Sequence, residues 1–401
     1  MTRQYSTLAA FAAAAILTCS AASAAPVVID SEQKANAAGA AAQRALGQPL
    51  FDQGLVTFYA RGIAENALMQ LAAATTPGAL VNARNGITLA CATSGNLTAR
   101  MARGFPRVLK LQWQACKYND IDDYPRERNG SAEIILLSDT FTPEKVAAIR
   151  FGTLTADFTD ARHIEYPDQI TDELRSLNLR MLGQIPMVRA FPLYGLFVGD
   201  FAFELTGFYQ EYSLTELPGS GQPPFEQTTR TSAEYLIVSG ATTYNNAKTH
   251  SVEDLRLHFG KVTHTSSSPS WGESINSYTA EGFRVRREAD FVTWSGSQSV
   301  DGKIEFQYSP LSGNCLNGAY TFKTRAPLVS NSLYSGLFDS GDLLINGSTT
   351  ARFYSAANVP PTLPVPQLGM LVHLDVRNVG SFNYDASGLG VFAQNSQCFG
   401  Y

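Results

Sequence analysis

From Gly86 onward the chain alternates apolar and polar residues in short runs. Leu109, Leu111 and Trp113 interleave with Lys110, Gln112 and Gln114; Phe201, Phe203 and Leu205 with Ala202 and Glu204; Ile304, Phe306 and Tyr308 with Glu305 and Gln307. A period of two gives each run one dry face, which predicts strands. One-sided burial points to antiparallel pairing, because parallel strands are usually apolar on both faces. Val372, Leu374 and Val376 repeat the pattern opposite a polar triplet, His373, Asp375 and Arg377. Asn129-Gly130, Asp301-Gly302, Asn317-Gly318 and Asn346-Gly347 each introduce an extended-favouring run, as a meander of hairpins requires. The expected fold is mainly β: an antiparallel meander, sandwich-like or a rolled sheet, with an N-terminal helical segment.

That segment covers residues 25–85 and precedes a β domain over 86–401. It is Ala-rich, with Ser31 placed to cap a first helix. A second stretch, Phe51 to Ala74, puts Leu55, Tyr59, Ile63 and Leu68 near one stripe, and Thr75-Thr76-Pro77-Gly78 ends it. The stripe predicts a helical lid on the β domain, since its polar face lacks the Lys and Arg of a membrane-surface helix. Thr142-Pro143 reads as the start of a short helix, and Asp172 to Leu182 as a further inserted one. Pro218–Pro224, Ser266–Ser270 and Pro360–Pro366 read as loops.

Met1–Ala24 has the order of a secretory leader: Arg3, an apolar run from Leu8 to Thr18, then Ala22-Ser23-Ala24. Cleavage is expected after Ala24, because cleavage one residue later would place Pro26 just beyond the scissile bond. The apolar run of about 11 residues is short of the roughly 20 that a membrane helix needs, and no later segment reaches that length without charges. Export to the periplasm or exterior follows. The weak alternative, a lipid-anchored Cys19, meets Thr18 where a smaller residue is preferred.

Export changes the reading of the cysteines. Setting Cys19 aside leaves Cys91, Cys116, Cys315 and Cys398, an even set that favours disulfides in an oxidising compartment. Nearest-neighbour pairing, Cys91 with Cys116 and Cys315 with Cys398, is expected. On the loop-entropy relation those closures stabilise by about 3.5 and 4.5 kcal/mol. Zinc fits poorly, because no Cys-x-x-Cys pair occurs and no His lies within a few residues of any of the four.

Charge adds an exclusion. Thirty basic against 35 acidic residues give −5, or −6 once the leader with its single Arg is removed, a balance that argues against a nucleic-acid partner.

Local chemical motifs are missing. There is no Gly-x-Ser-x-Gly, no His-Glu-x-x-His, no phosphate-cradling glycine loop and no dinucleotide fingerprint, and no cofactor is expected. Among the five histidines (His163, His250, His258, His264, His373) the middle three share one face only if a single strand runs through them, which Gly260 argues against. His258 and His264 are expected on a wet strand face. Asp120, Asp122 and Asp123 offer oxygen ligands for Ca²⁺, but the loop lacks the sharp-turn Gly and closing Glu of a standard calcium loop, so a solvated acidic turn is the simpler expectation. Glu204 and Glu211 flank one strand region without being singled out as a glycosidase pair. With 23 Phe and 17 Tyr against three Trp, the aromatics favour core packing and leave room for a lipid-lined cavity.

The leader, the Ala-rich start, the strand closing on Gln114-Ala115-Cys116 and the next strand beginning at Asn129-Gly130-Ser131 together resemble a loose group of uncharacterised exported proteins of Gram-negative bacteria. That resemblance covers about residues 1–140 and 300–350 in texture and implies no activity. The leading expectation is a non-catalytic secreted or periplasmic envelope protein that binds an apolar ligand, an envelope polymer or a protein partner. A secreted hydrolase with a dispersed site is the second expectation. An outer-membrane barrel is the third, disfavoured by the pattern Ala393, Asn395, Gln397, Phe399 that precedes Tyr401.

Overall fold

A computed structural model describes residues 24–83, 85–103, 107–119, 125–136, 150–186, 199–217, 225–244, 249–270, 272–308, 316–332, 337–367 and 369–386. The leader residues 1–23, Thr142-Pro143, Asp120, Asp122, Asp123, Cys315, Cys398 and the Pro218–Pro224 loop lie outside the described residues.

Helix α1 (Glu32–Ala74) runs without interruption through both predicted helical stretches. Ser31 is its N-cap, with Oγ accepting from the Lys34 N–H, and Thr75 closes it. Thr76 then caps a short α2 (Pro77–Asn82), with Pro77 in the first turn where its missing N–H costs nothing. The strands follow in order: β1 (Ile87–Ala90), β2 (Ser94–Met101), β3 (Arg107–Asn119), β4 (Pro125–Leu136), β5 (Arg150–Glu165), β6 (Gln169–Pro186), β7 (Gly199–Glu216), β8 (Phe225–Tyr244), β9 (His250–Ser268), β10 (Gly272–Asp290), β11 (Ser295–Tyr308), β12 (Gly318–Ser330), β13 (Ser340–Ile345), β14 (Thr349–Ser355), β15 (Met370–Val376) and β16 (Gly380–Ala386).

Each strand pairs antiparallel with the next, giving one 16-stranded meander. The fold is therefore the expected mainly β, antiparallel one. Among the described residues β1 and β16 each have a single neighbour, so over those residues the sheet is not closed into a barrel.

The inner face carries the core, including Leu97, Leu109, Leu111, Ile134, Leu177, Leu205, Val262, Phe283, Ile304, Tyr320 and Val372. The start of α1 packs against β11, β12 and β15, and α2 against β2. The helical segment thus bridges the late and the early strands. Its alanines Ala35, Ala38, Ala41 and Ala45 are fully buried, and their small side chains let the helix backbone sit close to the sheet. Leu68, Leu71 and Leu80 anchor the other end. Of the predicted stripe, Leu68 is thus buried, while the side chains of Leu55, Tyr59 and Ile63 lie outside the described ones.

Several local expectations are corrected. Asp172–Leu182 is not helical; it lies within β6, where Thr171, Glu173, Leu177 and Leu179 face inward and Asp172, Leu174, Asn178 and Arg180 outward. Pairing with β5 and β7 on both sides overrides the helix propensity of the segment. His250, His258 and His264 all lie on the single strand β9, which runs through Gly260. Ser266–Ser268 still belong to β9, so the turn there begins at Pro269. On β15 every residue but Asp375 is buried, and His373 is buried where an exposed face was expected. The Pro360–Pro366 stretch does lie between strands β14 and β15.

The Asn-Gly and Asp-Gly pairs have a common role other than the expected one. Asn346-Gly347 makes a hairpin turn, but Asn129-Gly130 and Asp301-Gly302 sit inside β4 and β11, and Asn317-Gly318 opens β12. In all four, the side-chain oxygen accepts a backbone N–H from a neighbouring strand: Ala115 (2.7 Å), Thr324 (3.2 Å), Tyr308 (2.6 Å) and Thr321 (2.7 Å) in sequence order. The first two bonds stand where the ladder register shifts, so a side chain replaces the ladder bond that a bulge removes. At Gly302 (φ +120°) an added Cβ would lie 2.5 Å from the Gly282 carbonyl oxygen.

The bulge at Ala115 (φ 44°) has a further effect: Trp113 and Cys116, three residues apart, both face inward. Cys116 there forms the expected disulfide with Cys91.

Candidate functional site

The middle strands carry polar chemistry on both faces of one sheet region. On the inner face, Arg126 and Arg128 of β4, Asp160 and Arg162 of β5, and Glu173 and Arg175 of β6 form a nearly dry ionic network. Arg128 donates two hydrogen bonds to Asp160 (Nε to Oδ1 at 2.7 Å, Nη2 to Oδ2 at 2.9 Å) and one to the Tyr118 hydroxyl (2.6 Å). Its guanidinium also lies 4.7 Å from the centroid of the Tyr118 ring, 5.3 Å from Phe158 and 5.4 Å from Trp113. Such stacking holds a buried cation that water no longer solvates. Burial pushes the Tyr118 hydroxyl up to about 12, so it stays a neutral donor to Asp160.

Glu173 is the hub of the other half. Its carboxylate accepts from Arg126 Nη2 (2.9 Å), from Arg175 and from Gln210 Nε2 (2.8 Å), and it pairs with Arg162 Nη2 at 3.1 Å. Saturating a buried carboxylate in this way offsets its desolvation and fixes β4, β5, β6 and β7 relative to one another.

The outer face of the same region holds an open cleft of about 520 Å³, to which Lys117, Glu127, Ala161, His163, Asp172, Leu174, Glu211 and Ser213 contribute. Strand registry explains its make-up. One cross-strand row reads Lys117, Glu127, Ala161, Leu174, Glu211, Arg230, and the next His163, Asp172, Ser213. Ala161 and Leu174 make a low apolar floor, and Leu174 remains 43% exposed although it is apolar. Around it stand Lys117–Glu127 (3.7 Å), Arg230–Glu211 (2.9 Å) and His163–Asp172 (2.6 Å). The Asp172 hydrogen bond raises the His163 pKa above its ordinary value. The Tyr209 hydroxyl and Arg230 lower the Glu211 pKa.

The row order decides what this histidine can do. An imidazole activates a hydroxyl only within hydrogen-bond reach, whereas here Asp172 separates His163 from Ser213, two strand spacings or roughly 10 Å apart. The other histidines have different settings. His264 Nδ1 bonds the Thr231 hydroxyl (2.9 Å) and His373 Nδ1 bonds Asn383 Oδ1 (2.8 Å). His258 is exposed, as expected, while His264 is half-buried. Among the described residues no group of three His, Cys, Asp or Glu side chains is placed to hold a metal ion. Glu204 and Glu211 lie seven residues apart on β7, and Glu204 stands opposite Arg180 and not opposite a second carboxylate.

Sequence reading identified His163 and Glu211 but not the cleft, nor Arg126, Arg128, Asp160 and Glu173. Their signal is visible afterwards: charged residues at alternate positions 126 and 128, then 160 and 162, then 173 and 175, on strands otherwise dry on that face. No protein-family model matches the chain, and no curated protein matches it.

Proposed function

We propose that this chain is a non-catalytic binding protein of the bacterial cell envelope, exported by its N-terminal leader, whose outer-face cleft holds an extended polar polymer of the envelope. The observation that carries this reading is the cleft: an apolar strip of Ala161 and Leu174 left open between paired charges, on a stretch of sheet made rigid from behind by Glu173 and Arg128. A sugar ring or peptide link laid on the strip would meet donors and acceptors on each side. A small apolar ligand finds less support, because the described inner-face residues are packed against one another and against the helix.

Solubility belongs to the same proposal. The outward positions of β9 and β10 include Asp254, Arg256, Arg284, Arg286 and Glu288, and an Arg or Lys facing lipid at the bilayer midplane costs about 2–4 kcal/mol. An outer face so charged suits water.

Co-sedimentation of the purified chain with isolated peptidoglycan sacculi tests the reading. Retention that is lost in L174E, with the fold intact by circular dichroism, is the expected result. Failure to sediment with sacculi, or retention unchanged in L174E, would overturn it. The hydrolase reading keeps one supporting observation, the 2.6 Å His163–Asp172 contact. Release of soluble fragments from the sacculi, abolished by H163A, would promote it.

A further inference from the structure

Away from the cleft, residues Ala24–Ile29 lie against the late strands. Pro26 forms a parallel bridge with Ala319, and the Val27 N–H donates to the Ala319 carbonyl (2.9 Å). Lys303 Nζ donates to the Ala24 carbonyl, and Ile29 enters the core. Val27 occupies space that Gly318 leaves free: a Cβ on that glycine would lie 2.3 Å from Val27 Cγ2.

The remaining bond comes from Asn346, whose amide works in two directions. Its Oδ1 accepts from the Thr321 N–H (2.7 Å), while its Nδ2 donates to the Val27 carbonyl (2.8 Å). A carboxylate at this position would keep the first bond and lose the second. It would also set one acceptor against another.

Asn346 is followed by Gly347, which has open space around it, with nothing within 4 Å of an added Cβ. An asparagine followed by an unhindered glycine is the arrangement in which the backbone nitrogen reaches the side-chain carbonyl. We propose that Asn346 is a site of spontaneous deamidation and that its amide is the latch of the N-terminal strap. In the reaction the Gly347 nitrogen bonds to Asn346 Cγ, the Cγ–Nδ2 bond breaks, and ammonia leaves with the proton lost by the glycine nitrogen. Water then opens the five-membered imide to aspartate or isoaspartate. No electrons are transferred.

The strap is released because the new carboxylate faces the Val27 carbonyl oxygen. The amides of the other Asn-Gly pairs donate elsewhere: Asn129 Nδ2 to Glu127 and Asn317 Nδ2 to the Tyr308 carbonyl. The turn geometry, with φ 50° at Asn346 and 67° at Gly347, together with the two amide bonds, slows the reaction while the strap is docked. Modification and release therefore promote each other.

The test uses the full chain, fresh or aged at mildly alkaline pH, with N346D and G347A. Peptide mass spectrometry reads deamidation at residue 346, and hydrogen exchange reads the Val27 amide. N346D is expected to speed Val27 exchange on the order of tenfold at neutral pH, the equivalent of one lost hydrogen bond. The difference should shrink in acid, where the protonated carboxyl again donates. Aged wild type should match N346D in proportion to its deamidated fraction, and G347A, whose side chain strains the turn at φ 67° and whose unaged Val27 exchange is therefore its own reference, should keep its amide and show no further change at Val27 on ageing. Three results would overturn the proposal: wild-type protection of Val27 in N346D, deamidation at 346 with no change at Val27, or an Asn346 that stays intact in the aged wild type.

Discussion

Replacing Glu173 with Gln keeps the shape of the inner-face hub and removes its charge, so it isolates the electrostatic part of that network. In the native chain the carboxylate meets three guanidiniums, those of Arg126, Arg162 and Arg175, with its side chain only 2% exposed. Removing one partner from a buried ionic group leaves the others uncompensated, which costs about 3–5 kcal/mol. The amide also presents an N–H toward donors, so at least one guanidinium loses its acceptor. The reverse deletion is milder. In R162M, Glu173 still accepts from Arg126, Arg175 and Gln210, and crowding among like charges falls, so a loss below about 1.5 kcal/mol is expected. Guanidinium unfolding with matched slopes measures both, since equal slopes let midpoint shifts be read as stability. If E173Q unfolds within about 1 kcal/mol of the parent, or R162M loses as much as E173Q, then Glu173 is not the hub and the charge argument fails.

Reducing the Cys91–Cys116 bond, or the C91A/C116A double variant, should lower stability by about 3.5 kcal/mol for a closed loop of 25 residues, read by urea unfolding with and without reductant. Burial raises the Glu253 pKa, with nearby Arg287 opposing only in part. For such an acid the stability is fully present below its unfolded pKa of about 4.3 and is lost as pH rises through the raised folded value, so E253Q should be more stable than wild type at neutral pH and equal to it near pH 3, by pH-dependent unfolding. Gly302→Ala should destabilise by at least about 2 kcal/mol, since positive φ and a 2.5 Å approach to a backbone oxygen add together, and thermal unfolding would show it. Exposed His163 titrates above its ordinary value through Asp172; in D172N the imidazole resonance should titrate at lower pH in NMR, and an unchanged midpoint would remove the contact.

How much of this was readable beforehand depended on range. The period of two at Leu109–Trp113 and Ile304–Tyr308 reports a local choice between wet and dry faces, and Leu109, Leu111, Trp113, Ile304 and Phe306 are buried as the alternation implies, with Tyr308 half-buried. Ser31 and Thr75 mark helix α1 because capping is also local. The segment at Asp172 failed as a helix because two flanking strands, not its own residues, decide its state. The Asn-Gly pairs were legible as positive-φ positions but not as bulge bonds, since an acceptor 14 residues from its donor, as for Asn129 and Ala115, is set by register. The cleft was hidden for the same reason. Lys117, His163 and Glu211 become neighbours only once β3 to β7 are aligned.

The nearest-neighbour order of the strands lets each hairpin add to the one before it as the chain is made, yet the first helix has no such partner. Gln298 Nε2 reaches back 252 residues to the Leu46 carbonyl, and Asn346 reaches back 319 to Val27. During vectorial synthesis or export, α1 with its bare alanine face must wait until β11 to β15 exist. The late strands therefore time the whole assembly: a chain stalled or truncated before β11 would hold ten of the sixteen strands and an unseated helix, the state in which holding chaperones and proteases would find it.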